Sequence, residues 1–279
     1  DSDASMILRQ SDTATVIRLR EALRNDDLML FAQRIAPLQT QDDPEGYELL
    51  LRSVQTPQKN HAPADLLSAA LRNQLAPTLD MWVAEHALAQ ATPHGSALLA
   101  ANVSLSINIT GPSLTDETFL ERVQRLIRRS RIAPSLITFE ITETVAVLSL
   151  TKAVTFIREL RAMGCRFALD DFGTGTNSLK NLTTLPVDRV KLDGSFVSDI
   201  LTNRQSDAMV RAVVSLTKDL GIGTVAEYAE NGPIIERLRE LGVQYAQGYG
   251  VEKPRAFAEV LNELSTRESQ KNFALNLEI

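Results

Sequence analysis

Apolar residues recur with two different spacings along the chain, and these spacings divide it into short strands and longer helices. Short apolar runs bounded by turn residues are typical of buried strands, whereas apolar residues three and four positions apart indicate amphipathic helices. The predicted strands are Leu28–Leu38, Tyr47–Val54, Ser104–Thr110, Leu136–Thr142, Arg166–Asp171, Arg189–Asp193, Gly223–Tyr228 and Tyr245–Gly250. The predicted helices cover about 12–25, 63–75, 77–92, 115–130, 150–163, 176–184, 204–220, 231–241 and Pro254–Leu264.

Most of these strands alternate with helices, which indicates right-handed βαβ units around a parallel sheet. About eight strands predict an α/β fold, a modified (β/α)8 barrel of the triosephosphate isomerase type. The connection between the first two strands contains the turn Asp42–Gly46 and is too short for a crossover helix, so these strands should form an antiparallel hairpin. An open, doubly wound sheet is the alternative, weakened because no Gly-x-Gly-x-x-Gly turn follows the first strand.

The ends of the chain differ in composition from its middle. Residues 1–11 are predicted to be a linker, residues 12–264 the barrel domain, and residues 265–279 a polar C-terminal tail. Because the chain begins at Asp1, we expect a fragment of a longer protein. Whether that parent protein is anchored in a membrane is left open.

Overall composition excludes several classes of function. Hydrophobic residues make up 44% of the chain and charged residues 23%, as in ordinary globular proteins. The net charge of −6 argues against DNA or RNA polymers as partners, because these require a basic surface. The single cysteine, Cys165, rules out an internal disulfide and fits a cytoplasmic domain. No apolar run approaches the roughly 18 residues of a spanning helix.

Polar side chains are concentrated at the carboxyl ends of the predicted strands. In the segment Leu169–Gly175, the adjacent carboxylates Asp170 and Asp171 end an apolar strand and precede a loop with two glycines. Two neighbouring carboxylates repel each other unless a cation neutralises them. The other polar residues at or near strand ends are Asn108, Glu140, Glu143, Lys191, Glu227 and Gln247. In a barrel these ends meet at one mouth, so we expect the side chains to converge.

Glu48 does not fit this rule as simply. It shares one face of the second strand with Arg52, because side chains alternate along a strand. Since Glu48 lies near the start of its strand, a simple barrel would place it at the opposite mouth. Each polar residue also has an ordinary structural explanation: Glu48 and Arg52 could form an ion pair, and Lys191 could extend its ammonium out of the barrel.

The predicted cluster consists of oxygen ligands and one lysine. The histidines do not pair with Cys165, which argues against a zinc site of the His/Cys type. Carboxylate and amide oxygens suit Mg²⁺ or Mn²⁺, and several converging acids require more than one positive charge. Two divalent ions about 3.5–4 Å apart, bridged by Asp170, would satisfy this requirement, and such pairs are typical of enzymes that cleave phosphodiesters.

Taken together, the motifs resemble those of EAL domains, the phosphodiesterases of the bacterial second messenger cyclic di-GMP. The resemblance covers about residues 13–264. It rests on Tyr47-Glu48-Leu49-Leu50-Leu51-Arg52, Ser106-Ile107-Asn108-Ile109-Thr110, Phe139-Glu140-Ile141-Thr142-Glu143-Thr144, Asp170-Asp171-Phe172-Gly173-Thr174-Gly175, Lys191-Leu192-Asp193, Ala226-Glu227, and Gln247-Gly248-Tyr249 followed by Lys253-Pro254.

The resemblance implies a role for each matching residue. Two Mg²⁺ or Mn²⁺ ions would be bound by the set Glu48, Asn108, Glu140, Asp170, Asp171 and Glu227. Lys191 would hold the attacking water or a phosphate oxygen, so that Lys191, Glu227, Asp171 and Glu48 would form the catalytic set. Substrate would be bound by Gln33, Arg52, Asn108, Lys191 and Gln247, and Glu143 would brace the loop after Asp171. The resemblance also implies the linear product pGpG, a homodimer through residues 172–185, and fusion to other signalling domains, for example of the diguanylate cyclase type.

The chain departs from the family pattern at several positions. The triplet Glu-Ala-Leu is replaced by Glu48-Leu49-Leu50, and the usual Gln-Pro of the first strand by Gln33-Arg34. The loop residues Gly-Tyr-Ser-Ser become Gly175-Thr176-Asn177-Ser178. Tyr228 stands where glycine is usual, directly after Glu227, so it could alter the backbone beside that carboxylate.

The sequence therefore predicts metal-dependent hydrolysis of cyclic di-GMP by a two-metal mechanism that activates water. The alternative is a non-catalytic cyclic di-GMP receptor that signals through its dimer. A third hypothesis is an unrelated barrel enzyme in which Lys191 forms a Schiff base, as desolvated lysines can.

Overall fold

The computed structural model describes residues 15–25, 27–40, 43–54, 64–173 and 178–277. The strands are β1 (Leu28–Pro37), β2 (Gly46–Ser53), β3 (Ser104–Asn108), β4 (Ile137–Thr142), β5 (Arg166–Phe172), β6 (Arg189–Leu192), β7 (Gly223–Ala226), β8 (Tyr245–Ala246) and β9 (Arg255–Ala256). The helices are α1 (15–25), α2 (Ala64–Arg72), α3 (Ala76–Ala91), α4 (Gly95–Ala100), α5 (Gly111–Leu114), α6 (Glu117–Ser130), α7 (Glu143–Leu148), α8 (Leu150–Ala162), α9 (Ser178–Thr184), α10 (Gly194–Val197), α11 (Arg204–Leu220), α12 (Gly232–Glu240) and α13 (Phe257–Leu277). The predicted linker 1–11 lies outside these residues, as does 174–177 of the predicted dimer segment.

Strands β1 to β8 close into a barrel. The order β2-β3-β4-β5-β6-β7-β8-β1 is completed by pairing between β1 and β2. Strands β2 to β8 are parallel to one another, whereas β1 is antiparallel to both of its neighbours. The predicted modified (β/α)8 barrel with an opening hairpin is therefore confirmed.

The hairpin explains how Glu48 reaches the same mouth as the other acids. Only the first three residues of β2, Gly46 to Glu48, pair with β3, and they lie level with Ser104 to Ser106. The rest of β2 continues beside β1 as far as Ser53, past the end of β3. Glu48 is thus near the start of its own strand but near the rim of the barrel.

The barrel interior and the layer beneath the helices form one core. Central strands are buried on both faces, as Phe167, Ala168 and Leu169 of β5 show, because helices cover the outside. Helix α6 is typical of that outer layer. It begins at Asp116, whose carboxylate accepts a hydrogen bond from Thr118 N, and it buries Phe119, Val123 and Ile127 at intervals of four.

The structure differs from prediction at several element ends. The last barrel strand is Tyr245–Ala246, not Tyr245–Gly250, so Gln247 follows the strand. The last helix is Phe257–Leu277, so the predicted helix end at Leu264 was wrong, and residues 265–277 of the predicted tail are helical. That segment contains no glycine or proline to end a helix, and Ser265 contacts His94 beside α4.

Strand β9 and the short helices α4, α5, α7 and α10 were not predicted. Each is only two to six residues long, too short to show a period in the sequence. Among the described residues, no helix combines the length and the apolar character that crossing a membrane requires.

Candidate functional site

Lys191 lies at the centre of a ring of carboxylates at the barrel mouth. Its side chain, on β6, is 1% exposed. Its Nζ lies 2.7 Å from Glu140 Oε2 and 2.8 Å from Glu227 Oε1, and 3.2 Å from Glu48 Oε2 and 3.3 Å from Asp170 Oδ1. The four acids come from β2, β4, β5 and the residue after β7, so the parallel barrel brings together residues that are far apart in sequence.

Amide side chains fix the orientation of Glu48. Asn108 Nδ2 donates to Glu48 Oε1 at 2.8 Å, and Gln247 Nε2 donates to Glu48 Oε2 at 2.6 Å. Gln247 Nε2 also lies 3.3 Å from Gln33 Oε1 on β1. The predicted metal and substrate residues Glu48, Asn108, Gln33 and Gln247 are therefore in one hydrogen-bonded network.

A break in the strand pairing allows the adjacent acids Asp170 and Asp171 to serve one site. Neighbouring side chains on a regular strand point to opposite faces. The register between β5 and β6 shifts between Leu169 and Phe172, and Asp171 has a positive φ of 53°, an irregularity that re-aims side chains. As a result, oxygens from Asp170, Asp171 and Glu227 lie within 4.8 Å of one another.

The site carries a large excess of negative charge. The carboxylates of Glu48, Glu140, Asp170 and Glu227 surround the ammonium of Lys191, and the carboxylate of Asp171 lies beside those of Asp170 and Glu227. Burial, together with the charges of Glu48 and Asp170, raises the pKa of Glu140 to about 8. Burial and the charge of Asp170 raise the pKa of Glu227 to about 7. The excess negative charge therefore favours protonation of these carboxylates or the binding of cations.

The surroundings of Lys191 and Glu48 favour their charged forms, whereas those of Glu140 and Glu227 favour the neutral forms. Burial disfavours the charged form of Lys191, but the surrounding carboxylates hold its pKa well above the usual value. Burial also disfavours ionised Glu48, but Lys191, Gln247 and Asn108 together lower its pKa. A Schiff base requires a neutral amine, so the structure argues against the hypothesis that Lys191 is a carbonyl-reactive lysine.

The donor set fits hard cations. Asp170 Oδ1 is buried and accepts no hydrogen bond from the described residues, although Lys191 is nearby. Gln247 Oε1 is likewise a buried acceptor without a hydrogen-bond partner among them. Carboxylate and amide oxygens are the ligands of Mg²⁺ and Mn²⁺. The acidic cluster Asp170, Asp171 and Glu227 could therefore hold a metal ion.

Glu143 and Asn181 tie the loop after β5 to α7. Glu143 Oε2 accepts a hydrogen bond from Gly173 N at 3.3 Å, and Glu143 Oε1 accepts one from Asn181 Nδ2 at 3.1 Å. Glu143 is also the first residue of α7, where an acid is favoured by the helix dipole. These contacts fit the predicted bracing role. Asn181 was missed, because a polar residue on a short helix carries no distinctive signal.

Asp80 holds the chain just beyond Asn108, and it too was missed. The Asp80 carboxylate, 5% exposed on α3, accepts hydrogen bonds from Thr110 N, Thr110 Oγ1 and Ser113 Oγ at 2.6–2.8 Å. Burial nevertheless raises its pKa. A single acid in the run Leu79-Asp80-Met81-Trp82 could have indicated a buried, hydrogen-bonded carboxylate.

Arg52 provides a buried guanidinium beyond the carboxylates. It is 5% exposed, its Cζ lies 5.6 Å from the Phe31 ring centre, and its Nε has no hydrogen-bond partner among the described residues. Burial lowers its pKa. Arg34 does not join it, because Arg34 pairs with Glu45, and Gln33, one position earlier on β1, faces the site. The Gln33-Arg34 departure therefore leaves the network around Glu48 intact.

Tyr228 occupies a position where glycine would be unstrained. Its φ is 53°, in the left-handed region that bulky residues rarely adopt. The ring lies against Gly194: a Cβ added at Gly194 would be 2.2 Å from Tyr228 Cδ2. Even so, Lys191 Nζ reaches Glu227 Oε1, so the tyrosine does not displace its neighbour from the cluster.

Comparison with known proteins gives a consistent result. The EAL domain model matches residues 17–254. The chain is 34% identical over 97% of its length to cyclic di-GMP phosphodiesterase PdeB of Shewanella oneidensis, covering 31% of that protein. It is 33% identical over 92% of its length to cyclic di-GMP phosphodiesterase PdeF of Escherichia coli, covering 34%. The chain thus spans about a third of these relatives.

A solved structure extends the comparison to the fold. The chain is similar to the FimX EAL domain from Pseudomonas aeruginosa bound to c-di-GMP, with a TM-score of 0.77 and 26% identity. The match covers 86% of this chain and 96% of that domain.

Proposed function

The chain belongs to the EAL domain family, and from this premise we propose that it hydrolyses one phosphodiester bond of cyclic di-GMP to give linear pGpG. The proposal is supported by relatives named as cyclic di-GMP phosphodiesterases and by a similar domain solved with c-di-GMP. The observation that carries it is the cluster at the barrel mouth, in which four carboxylates surround Lys191, Asp171 lies beside Asp170 and Glu227, and Asn108 donates to Glu48.

The carboxylates would hold two Mg²⁺ or Mn²⁺ ions. We assign Glu48, Asn108, Glu140 and Asp170 to one ion, and Asp170, Asp171 and Glu227 to the second ion and its water. When bound, such ions lower the pKa of water and offset the charge that develops on phosphate oxygens.

The remaining side chains would orient the substrate. Arg52 would donate hydrogen bonds to a phosphate oxygen, since its Nε is buried and has no partner among the described residues. Lys191, held charged by its neighbours, would donate to the attacking water or to a phosphate oxygen. Gln33 and Gln247 would line the cleft beside Glu48, and Glu143 would keep the loop after Asp171 in place through Gly173.

The test is an assay of the purified protein with cyclic di-GMP, with products separated by chromatography. We expect pGpG in the presence of Mg²⁺ or Mn²⁺ and none after treatment with EDTA. Unchanged turnover in EDTA would contradict the two-metal assignment, and absence of turnover with both ions would contradict the enzymatic one.

A non-catalytic receptor is the competing function, favoured by one specific observation. Tyr228 introduces backbone strain directly beside Glu227, where a small displacement could abolish turnover and leave binding intact. Binding of cyclic di-GMP in saturating Mg²⁺ or Mn²⁺ without formation of pGpG would favour the receptor.

Assembly and location are further parts of the proposal. We assign a homodimer contact to residues 172–185, of which the structure describes 172, 173 and 178–185. Since the chain spans about a third of its relatives, we also propose that it is fused to other signalling domains and works in the cytoplasm. Sedimentation of the protein with and without cyclic di-GMP would test the dimer.

A further inference from the structure

Tyr228 exposes a large aromatic ring in a backbone conformation that costs free energy. The residue is 60% exposed and has a φ of 53°. Non-glycine residues in this region are strained, and such strain is found preferentially at functional sites, where the surrounding structure maintains it. An exposed residue that served only to connect β7 to α12 would be expected to relax or to be glycine.

The neighbouring backbone holds Tyr228 in this conformation. Ala229 N donates to Gln247 O at 3.0 Å, and Gly250 N donates to Ala229 O at 2.9 Å. The residue after Tyr228 is therefore fixed to the loop that follows β8, while Glu227 before it is fixed to Lys191. The residues on both sides of Tyr228 are therefore held in place.

Gly194 provides the surface on which the ring lies. A Cβ there would be 2.2 Å from Cδ2, 2.6 Å from Cγ and 2.9 Å from Cε2 of Tyr228, so any side chain at position 194 would push the ring away. Gly194 itself does not have a positive φ, so its backbone would accept alanine. The requirement for glycine at this position comes from the tyrosine.

The ring lies at the edge of the carboxylate cluster. Tyr228 follows Glu227 directly, and Gly194 follows Asp193, which is close enough to Asp171 for its charge to act on that carboxyl. One side of the ring is against Gly194, and most of the rest is open to water. An exposed aromatic ring therefore belongs to the residue directly after one of the carboxylates that contact Lys191.

We propose that Tyr228 binds substrate by stacking on one guanine base of cyclic di-GMP, an inference that rests on the proposed function. Base–aromatic stacking needs only an open ring face and contributes substantially to binding by single-stranded nucleotide sites. Tyr228 would thus increase affinity for a purine dinucleotide and contribute little to the chemical step.

The experiment compares four variants with the wild-type chain. Tyr228→Phe keeps the ring, Tyr228→Gly removes the ring and the strain, Gly194→Ala keeps the ring but displaces it, and Tyr228→Gly/Gly194→Ala combines two changes. KM and kcat for cyclic di-GMP are measured from initial rates, dissociation constants by calorimetry, and melting temperatures by scanning calorimetry.

We expect Tyr228→Gly to raise KM and the dissociation constant about 10-fold or more, with kcat within about 3-fold and a melting temperature not below that of wild type, since glycine relieves the strain. Tyr228→Phe should resemble wild type. Gly194→Ala should weaken binding like Tyr228→Gly, and adding it to Tyr228→Gly should have no further effect, because the ring through which it acts is gone.

Three results would overturn the proposal: unchanged affinity in Tyr228→Gly, a loss confined to kcat, or an equal loss of affinity in Tyr228→Phe. Failure of the proposed function is separate, because it would show as a wild-type protein that does not hydrolyse cyclic di-GMP. In that case the dissociation constants of the variants still decide the role of the ring. A wild-type protein that neither hydrolyses nor binds it would overturn both.

Discussion

Replacing Lys191 by methionine should destabilise the metal-free protein strongly. The ammonium lies within 3.3 Å of four carboxylates, and the side chain is 1% exposed. A pair of unit charges about 4 Å apart attracts by about 4 kcal/mol at an effective dielectric constant near 20, but desolvation offsets much of this. Removing one partner of a buried pair typically costs about 3–5 kcal/mol, which corresponds to a melting temperature roughly 6–20 °C lower.

The loss should depend on pH in a defined direction. With Lys191 present, the pKa of Glu140 is about 8 and that of Glu227 about 7, and removing the ammonium raises both further. Because these acids bind protons more tightly in the folded than in the unfolded state, folding stability falls as pH rises from about 4.5 through the folded values. The difference in melting temperature between Lys191→Met and wild type should therefore be smallest at pH 5.5 and largest at pH 8.

Scanning calorimetry in EDTA at pH 5.5 and pH 8 measures this prediction. Lys218→Met is the matched control, because Lys218 is exposed on α11. Excess Mg²⁺ or Mn²⁺ at pH 8 should narrow the difference between Lys191→Met and wild type, since bound cations replace the missing charge. Equal melting temperatures in EDTA at pH 8, or a difference that does not change with pH, would refute the view that Lys191 neutralises the cluster.

Three further predictions concern single side chains. Asp170→Asn should lower turnover of cyclic di-GMP at least roughly 100-fold, because a cation ligand loses its charge, and near-normal turnover would refute the assignment; Asp219→Asn on α11 is the control. Glu143→Gln keeps the size of the side chain but weakens its bonds to Gly173 N and Asn181, so turnover should fall roughly 10-fold with the melting temperature little changed, and unchanged turnover would exclude bracing. Asp80→Ala should destabilise the protein by roughly 2–4 kcal/mol in chemical unfolding, because three donors lose their acceptor. Since burial raises the folded pKa of Asp80 above 3.8, the stability of wild type relative to Asp80→Asn should decrease as pH rises above 3.8.

The barrel could be predicted from sequence because its strands and helices have distinct periods. The hairpin followed from loop length alone, since a turn of a few residues between β1 and β2 cannot cross over. The helix after Leu264 could not be predicted in the same way, because the residues directly after Leu264 are polar and contact the region of α4 through Ser265 and Glu268. Such contacts depend on tertiary neighbours that no local pattern specifies.

Most of the carboxylate cluster was predictable because Glu140, Asp170, Asp171 and Glu227 end, or nearly end, an apolar strand, whereas Glu48 lies near the start of its strand. The arrangement of the side chains within the cluster could not be predicted from strand ends. That Asp170 and Asp171 serve the same site depends on the register shift between β5 and β6, and alternation along a strand would have predicted the opposite. Asp80 acts through its hydrogen bonds to Thr110 and Ser113, and Gly194 acts through its contact with the ring of Tyr228. The importance of both residues depends on distances that exist only in the folded chain.

The extension of β2 past the barrel rim has a consequence for the proposed substrate. Glu48 and Arg52 are four residues apart on the same face of one strand, so their Cα atoms are about 13 Å apart along it. β2 is paired with β1 over this whole length, which fixes the separation more rigidly than a loop could. A cyclic dinucleotide has two phosphates, and the strand would hold one at the carboxylate cluster while Arg52 meets the rest of the molecule. In a regular (β/α)8 barrel the strand would end at the rim, and Arg52 would lie on a flexible loop. The antiparallel β1 therefore supports β2 where no parallel neighbour reaches, and it keeps Arg52 on a paired strand.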